Sequence, residues 1–355
     1  RDLRMSRGLG DVYKRQVMKK IWLFLGIAVI FGAAVWFFAA GYDYKKIVFV
    51  LPSSERASSP YYYKKDGDFF LAQDLRKGLE KLGYTVEYRF REDYDDIKLG
   101  NAGSVLYFKG YYDFKRLPGA EDRDDGRKRI LYLYYVEGLH QEILQEADVV
   151  ASASKKFISE VAEPAGAQAV YVPQFTNPER FKPADKEADK AYPVLFVGSD
   201  HSGFGRKSVD YAVLAGADLS VFGKFWEKTL RPEVLKGNFI ENDDLYRYYA
   251  NADIVLNDHR DDMRYYGFVS NRVYDVTASG GFVLTDYLPE IEEAYGDSVA
   301  TYKDYYDFKE KLEYYLAHPE VRAEMAQRAR QITLERFTAD KAAQIFDGIF
   351  KNIKK

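Results

Sequence analysis

Apolar residues in this chain fall into short runs separated by stretches of helical period. Lys46-Ile-Val-Phe-Val-Leu51 reads as a strand buried on both faces. Asp68 to Leu82 then sets Phe69, Leu71, Ala72, Leu75, Leu79 and Leu82 along one helical stripe, which Gly83 ends. Further strands are expected at 84–90, 104–108, 130–136, 148–152 and 169–174, with helical stretches near 139–146 and 154–163. Residues 176–192 are polar and carry Pro178 and Pro183, the pattern of a linker. A second series follows, with strands at 194–198, 219–223, 238–240, 253–257, 281–285 and 299–302, and three helical segments close the chain from Lys303. Strands alternating with helices predict parallel, doubly wound sheets. The division is then a domain at 45–176, a linker at 177–192, a domain at 193–338 and a closing helix at 339–355 that can pack back on the first domain. Two such α/β halves enclose a cleft, and open parallel sheets bind ligands at the carboxyl ends of their strands.

The first forty residues break this rhythm. Residues 1–17 have no apolar period and no Met at position 1, and they read as a non-native leader with Met18 as the natural start. Ile21 to Gly41 carries no charge. As a helix it spans roughly 30 Å, enough for the bilayer core, with Trp22 and Trp36 near its ends. The segment 18–44 is therefore expected to be a single-pass membrane anchor. A cleaved signal peptide with export is the alternative, given Lys19-Lys20 ahead and Ala39-Ala40-Gly41 behind. With Met18 as the start, Lys45, Lys46, Arg56, Lys64 and Lys65 outweigh the short side and favour a cytoplasmic catalytic domain. A native leader reverses that balance.

Composition narrows the function classes. The 355 residues hold 52 Lys+Arg against 55 Asp+Glu, so nucleic-acid binding through phosphate neutralisation is not expected. There is no cysteine, which removes disulfides, thiolate nucleophiles and Cys-ligated metals. The 31 Tyr and 24 Phe suit stacking on rings, although Tyr also packs ordinary cores.

The densest chemistry lies between Ala252 and Asp286. An apolar strand ends in Asn257-Asp258-His259-Arg260, a polar loop with Arg264 follows, a helix begins near Asn271 with Arg272 and Asp275, and Gly280-Gly281 opens the next strand. Arginines beside a helix amino terminus are suited to a diphosphate. The bland alternative is a solvated loop whose charges pair with one another. A second candidate is Gly198-Ser-Asp-His-Ser-Gly-Phe-Gly-Arg206-Lys207, a glycine-rich turn before a helix that can offer backbone N–H groups to phosphate. Its spacing fits neither common phosphate-loop pattern. Asp66-Gly67-Asp68 reads as a helix cap, and His318, before Pro319, as structural. Glu137 and His140 follow a first-half strand and are candidates for a base acting on an acceptor hydroxyl. A helix-start role is the plainer reading of both. Pro60-Tyr61-Tyr62-Tyr63 serves equally as a sugar platform or as aromatic surface.

The run Asn257-Asp258-His259-Arg260-Asp261-Asp262-Met263-Arg264, with Gly267-Phe268-Val269-Ser270-Asn271-Arg272-Val273-Tyr274-Asp275, Ala278, Gly280 and Asp286, resembles the glycosyltransferase group 1 family and its CgeB-like branch. The resemblance covers the second half strongly and the first half only in layout. It implies a GT-B fold, with two Rossmann-like domains, the donor nucleotide sugar on the second and the acceptor on the first. It implies donor contacts from Gly198, Arg206, Lys207, Asn257, Asp258, His259, Arg264, Asn271, Arg272, Asp275, Gly280 and Gly281. Asp275 falls where the family's second donor-site acid usually bonds the ribose. Gly267 replaces the first acid, which leaves retention or inversion open. The function expected is metal-independent, hexosyltransferase-like transfer of sugar from a UDP- or GDP-linked donor to a glycan, lipid or protein hydroxyl, with no resident cofactor. A bilobal solute-binding protein and a sugar-nucleotide epimerase are the alternatives.

Overall fold

A computed structural model describes residues 41–353 except 111–113, 122–124, 201, 202 and 204. Two six-stranded parallel sheets follow one another along the chain. The first holds β1 (Asp43–Val50), β2 (Thr85–Arg89), β3 (Ala102–Lys109), β4 (Lys128–Leu133), β5 (Val149–Ser152) and β6 (Ala169–Tyr171) in the spatial order β2-β1-β3-β4-β5-β6. The second holds β7 (Val194–Val197), β8 (Leu219–Phe222), β9 (Leu235–Gly237), β10 (Ile254–Asn257), β11 (Val283–Asp286) and β12 (Ala300–Tyr302) in the order β12-β11-β10-β7-β8-β9. Helices α1 (Gly67–Lys81) and α2 (Lys155–Phe157) belong to the first lobe. The second lobe carries α3 (Lys207–Leu214), α4 (Leu245–Asn251), α5 (Asp261–Tyr266), α6 (Asn271–Ala278), α7 (Pro289–Tyr295), α8 (Tyr305–Ala317) and α9 (Pro319–Arg336).

The central strands are apolar because both faces are covered. All eight residues of β3 and all four of β10 are buried. Each sheet reverses its strand order once, between β1 and β3 and between β7 and β10, so a crevice opens beyond the carboxyl ends of those pairs.

The last helix, α10 (Ala339–Asn352), leaves the second lobe and lies along α1 of the first. Thr338 caps it by accepting from the Lys341 N–H. Its buried face, Ala342, Ala343, Phe346, Ile349 and Phe350, joins the first-lobe core. Contact is close because α1 offers Gly78, where a Cβ would lie 2.8 Å from the Ala343 Cβ. The chain thus crosses between lobes twice, at Thr176 and Thr338, and the crossings are bonded to each other: Thr176 N–H to Phe337 O and Ala339 N–H to Thr176 O, both 2.9 Å.

Several local expectations are corrected. The strand placed at 238–240 lies at Leu235–Gly237, because Leu235 pairs with Val221 and Gly237 with Phe222, while Phe239 turns toward the crevice. The stretch 139–146 forms only a 3-10 turn at Gln141–Gln145. The polar loop after Arg260 contains α5, which Gly267 ends in a left-handed conformation (φ 74°). No helix among the described residues is long and apolar enough to cross a membrane. The membrane helix expected from Ile21 lies, but for Gly41, outside the described residues, as does the 1–17 leader.

Candidate functional site

The crevice holds three adjoining cavities of about 560, 510 and 350 Å³. The largest is walled on one side by Tyr61, Asp66 and Asp68 of the first lobe, and on the other by Gly198, Arg206 and Arg272 of the second. These second-lobe residues stand at the carboxyl end of β7 and at the starts of α3 and α6, where the topology places ligands.

Arg272 is the central cation. Its guanidinium donates to the Val197 carbonyl at 2.5 Å and to the Asn257 side-chain oxygen at 2.8 Å, and it lies over the Phe196 ring at 4.9 Å. Burial holds its pKa below the usual arginine value. Those two hydrogen-bond acceptors are neutral, so a positive charge is held at the cavity wall on dipoles. Asn257 is fixed in turn by donating to Thr285 Oγ1 at 2.9 Å. Gly198 makes room for this arrangement, since a Cβ there would come 2.9 Å from the Arg272 guanidinium. Gly198→Ala is therefore expected to push the guanidinium aside and to weaken binding of an anionic ligand at this wall by about tenfold, with the melting temperature nearly unchanged. Isothermal calorimetry beside a thermal melt checks both halves.

Arg206 reaches the same wall, pairing with Asp258 and donating to the Asp258 carbonyl at 2.7 Å. Asp258 also accepts from the Ser208 N–H at 3.0 Å, so it already caps α3. The glycine-rich turn departs from its expected role. Gly203 and Gly205 N–H donate to the buried Asp200 carboxylate at 2.9 and 3.0 Å, so the chain's own acid holds these amides. Asp275 is buried and accepts from Thr176 Oγ1 at 2.6 Å and from Asn271 Nδ2 at 3.0 Å, and burial raises its pKa to about 7. It lines the smallest cavity with Asn271, Arg272 and Arg180.

Other expected donor residues stand elsewhere. His259 is buried with both ring nitrogens engaged: Nδ1 lies 2.6 Å from Asp286, and Nε2 accepts from the Ser270 N–H at 2.9 Å. It clips the end of β10 to the start of α6, and so it positions Arg272 without facing a ligand. Lys207 and Arg264 both turn to Asp261 on the exposed α5. Gly280 and Gly281 sit at the amino end of β11, away from the crevice. A Cβ on Gly281 would meet the Tyr249 carbonyl at 2.3 Å, so the close backbone approach is to α4. His140 is exposed at the start of its 3-10 turn. Glu137 Oε2 accepts from the Tyr135 hydroxyl and from Arg260 at 3.1 Å, a bridge between lobes that engages one oxygen of its carboxylate. His318 stacks on Tyr314 with centroids 4.2 Å apart, and its Nδ1 lies 2.6 Å from the Tyr314 carbonyl.

The structure adds residues outside the motif run. Asp74 of α1 accepts from Asn177 Nδ2 at 2.8 Å and from Arg180 at 3.0 Å, forming a buried ion pair between the first lobe and the linker. Phe225 stands at the mouth of two cavities with φ 70°, a conformation uncommon outside glycine. Nothing in the local sequence marks Asp74, because its partners are distant along the chain. Among the described residues no cluster of His, Asp and Glu is arranged to hold a metal ion.

Comparison with known proteins agrees with this geometry. Residues 207–347 match the family described as Glycosyl transferase-like. Spore protein CgeB of Bacillus subtilis is 28% identical over 219 residues, covering 56% of this chain and 67% of that protein. Among solved structures, sucrose-phosphate synthase from Thermosynechococcus elongatus superposes with a TM-score of 0.64 at 12% identity, over 86% of this chain and 98% of that one. Anabaena HepE in complex with UDP-glucose superposes at 0.57 and 12% identity, over 87% and 100%. The two lobes are therefore parallel-sheet α/β domains arranged as in GT-B glycosyltransferases, and the resemblance to group 1 glycosyltransferases of the CgeB-like branch holds.

Proposed function

We propose that this chain, related to the CgeB-like branch of the group 1 glycosyltransferases, moves a hexose from a UDP- or GDP-linked donor to an acceptor hydroxyl on a glycan, lipid or protein. The observation that carries the reading is the Arg272 guanidinium, held on neutral oxygens at the switch point of the second sheet and facing an open cavity. A diphosphate supplies the negative charge this cation lacks. Arg206 adds a second guanidinium to the same wall, paired with Asp258.

The donor can be laid out from there. The diphosphate meets Arg272 and the Gly198 turn. The ribose reaches toward Asn271 and Asp275. The planar base enters the 510 Å³ arm, where Phe225 and Phe239 offer ring faces. HepE, captured with UDP-glucose, shares the fold and supports a uridine donor. Catalysis comes from alignment and from stabilisation of the departing diphosphate by the guanidiniums, so the reaction needs no resident metal or cofactor. The uncharged stretch from Ile21 to Gly41 supports a membrane-tethered enzyme, and with Met18 as the start Lys45, Lys46, Arg56, Lys64 and Lys65 support lobes on the cytoplasmic side.

A thermal-shift screen against UDP, GDP, their monophosphates and their sugars tests the reading. Ligand at a hundredfold excess over Kd adds about 2.7 kcal/mol to native stability, a shift of several degrees. Stabilisation by a diphosphate and not by free sugar is the expected result. A response to free sugar alone would replace the transferase with a solute-binding protein.

A further inference from the structure

We propose that the face formed by the amino ends of the first-sheet strands rests on an anionic lipid surface and points the crevice away from it, so that the acceptor hydroxyl comes from the aqueous side and not from a lipid headgroup. This rests on the group-transfer reading and the membrane tether above, and adds the face that meets lipid and the acceptor class that remains.

The face is a continuous collar of tyrosines and cations. Arg127 lies over the Tyr42 ring at 4.6 Å, Lys128 over the Tyr44 ring at 5.3 Å, and Lys45 over the Tyr84 ring at 3.8 Å. The three pairs are joined to one another. The Tyr44 hydroxyl donates to the Gly126 carbonyl at 3.4 Å, and a Cβ on Gly126 would touch Tyr42 at 3.5 Å. Lys128 donates to the Phe350 carbonyl, and the Phe350 ring packs on Tyr84 with centroids 5.6 Å apart. Lys45 donates to the Leu82 carbonyl at 3.1 Å, and the Leu82 residue is itself 37% exposed.

Capping would account for each ammonium alone, since Leu82 ends α1 and Phe350 lies in the last turn of α10. It does not account for the tyrosine ring beneath each one. Nor does it account for Arg127, which donates to the Gly100 and Ala102 carbonyls around the start of β3. Amphipathic rings beside cations are the composition of a bilayer interface, where the ring sits at headgroup depth and the charge meets lipid phosphate. The acids on this face are engaged by their neighbours. Asp125 pairs with Arg127 and Arg129, Asp347 with Lys351 and the Tyr84 hydroxyl, and Asp43 accepts from the Lys45 N–H. Lys45 and Lys128 donate to neutral carbonyls, which leaves their charge available to an anionic surface.

The uncharged stretch from Ile21 selects lipid as the partner. It ends at Gly41, directly before Tyr42 of the collar, and β1 starts at Asp43. A span seated in a bilayer therefore delivers the collar to the lipid surface. Direction follows from the sheet. Its strands are all parallel, so their amino ends lie together at the collar and their carboxyl ends together at the crevice. The eight residues of β1 span roughly 26 Å at about 3.3 Å each. A hydroxyl at headgroup depth does not cross that distance, whereas a glycan or a protein in water meets the crevice directly.

The test uses the full chain, which contains no cysteine, so one introduced thiol is the sole labelling site. Leu82→Cys and Asn101→Cys put a fluorophore on the collar, Ser58→Cys on the first-lobe rim of the crevice, and Tyr306→Cys on the second lobe, all at exposed positions. Vesicles of equal parts phosphatidylcholine and phosphatidylglycerol carry a headgroup nitroxide as quencher. Quenching at 82 and 101, with 58 and 306 left bright, is the expected result. Lys45→Gln together with Lys128→Gln is expected to weaken the contact read at 82 roughly 25-fold, about fivefold for each cation. Phosphatidylcholine alone is expected to weaken it with those lysines in place. Quenching at 58 would turn the crevice toward the bilayer, restore a lipid acceptor and overturn the proposal. Equal quenching in the two lipid mixtures would overturn the anionic partner. Bright labels at 82 and 101 on a chain that floats with the vesicles would leave the tether and overturn the docking face. A chain that does not float with them would overturn the tether and the docking face together. In each case the transferase reading is judged separately, by the nucleotide thermal shift.

Discussion

Arg272→Ala is expected to weaken UDP binding by about 100-fold or more. A hydrogen bond to a charged group contributes roughly 1.5–3 kcal/mol, and a guanidinium facing a diphosphate makes more than one. Arg272→Lys is expected to lose most of the same affinity. An ammonium cannot keep the Val197 carbonyl and the Asn257 side chain together while also facing a ligand, as the planar fork does. The circular dichroism spectrum should be unchanged, because the strands and α6 do not depend on the guanidinium for their ladders. Calorimetry with UDP and GDP decides the matter. Parental affinity in both variants would place the diphosphate elsewhere in the crevice.

Arg180→Ala is expected to have the largest effect on stability. Removing the arginine leaves Asp74 buried with only Asn177 as a described hydrogen-bond donor. Breaking a buried pair from one side costs about 3–5 kcal/mol. Burial already raises the Asp74 pKa despite Arg180, which lowers it. Without the arginine the carboxyl rises further above its unfolded value. A carboxyl raised in the folded state favours folding at low pH and loses that contribution as pH rises. The deficit of the variant should therefore be greater at pH 8 than at pH 5, as urea denaturation at the two values would show. A loss under 1 kcal/mol, or one that does not change with pH, would mean that the pair is not the fastening that joins α1 to the linker.

The sequence made the lobes legible because each carries a self-sufficient local signal. The apolar runs of β1, β3, β7 and β10 are flanked by stripes of helical period, and alternation of that kind leaves few topologies. It made Arg272 and Asn257 legible because a strand end and a helix start lie only a few residues apart there. It misplaced the glycines. Gly280 and Gly281 look like a turn that meets a ligand, but Gly280 takes a left-handed conformation (φ 75°) and Gly281 relieves a clash with the Tyr249 carbonyl, whose position is set by the distant α4. It overrated Lys207 and Arg264, because counting cations does not reveal that Asp261 lies within reach of both. His259 was legible as important but not as a clip, since its partner Asp286 arrives from the next strand. Asp74, Arg180 and Thr176 form their contacts only when the chain returns across the crevice. Asp66 was visible as a cap, which it makes by accepting the Asp68 N–H.

The two bonded crossings at Thr176 and Thr338 have a mechanical consequence. Thr176, at one crossing, donates to Asp275 of the second lobe, so the backbone that joins the lobes also fixes a wall of the smallest cavity. The lobes are fastened again elsewhere, where Lys156 donates to the Tyr265 carbonyl and Phe268 enters the first-lobe core. A substitution that loosens the Thr176–Thr338 junction is therefore felt first at Asp275 rather than as a free swing of one lobe against the other.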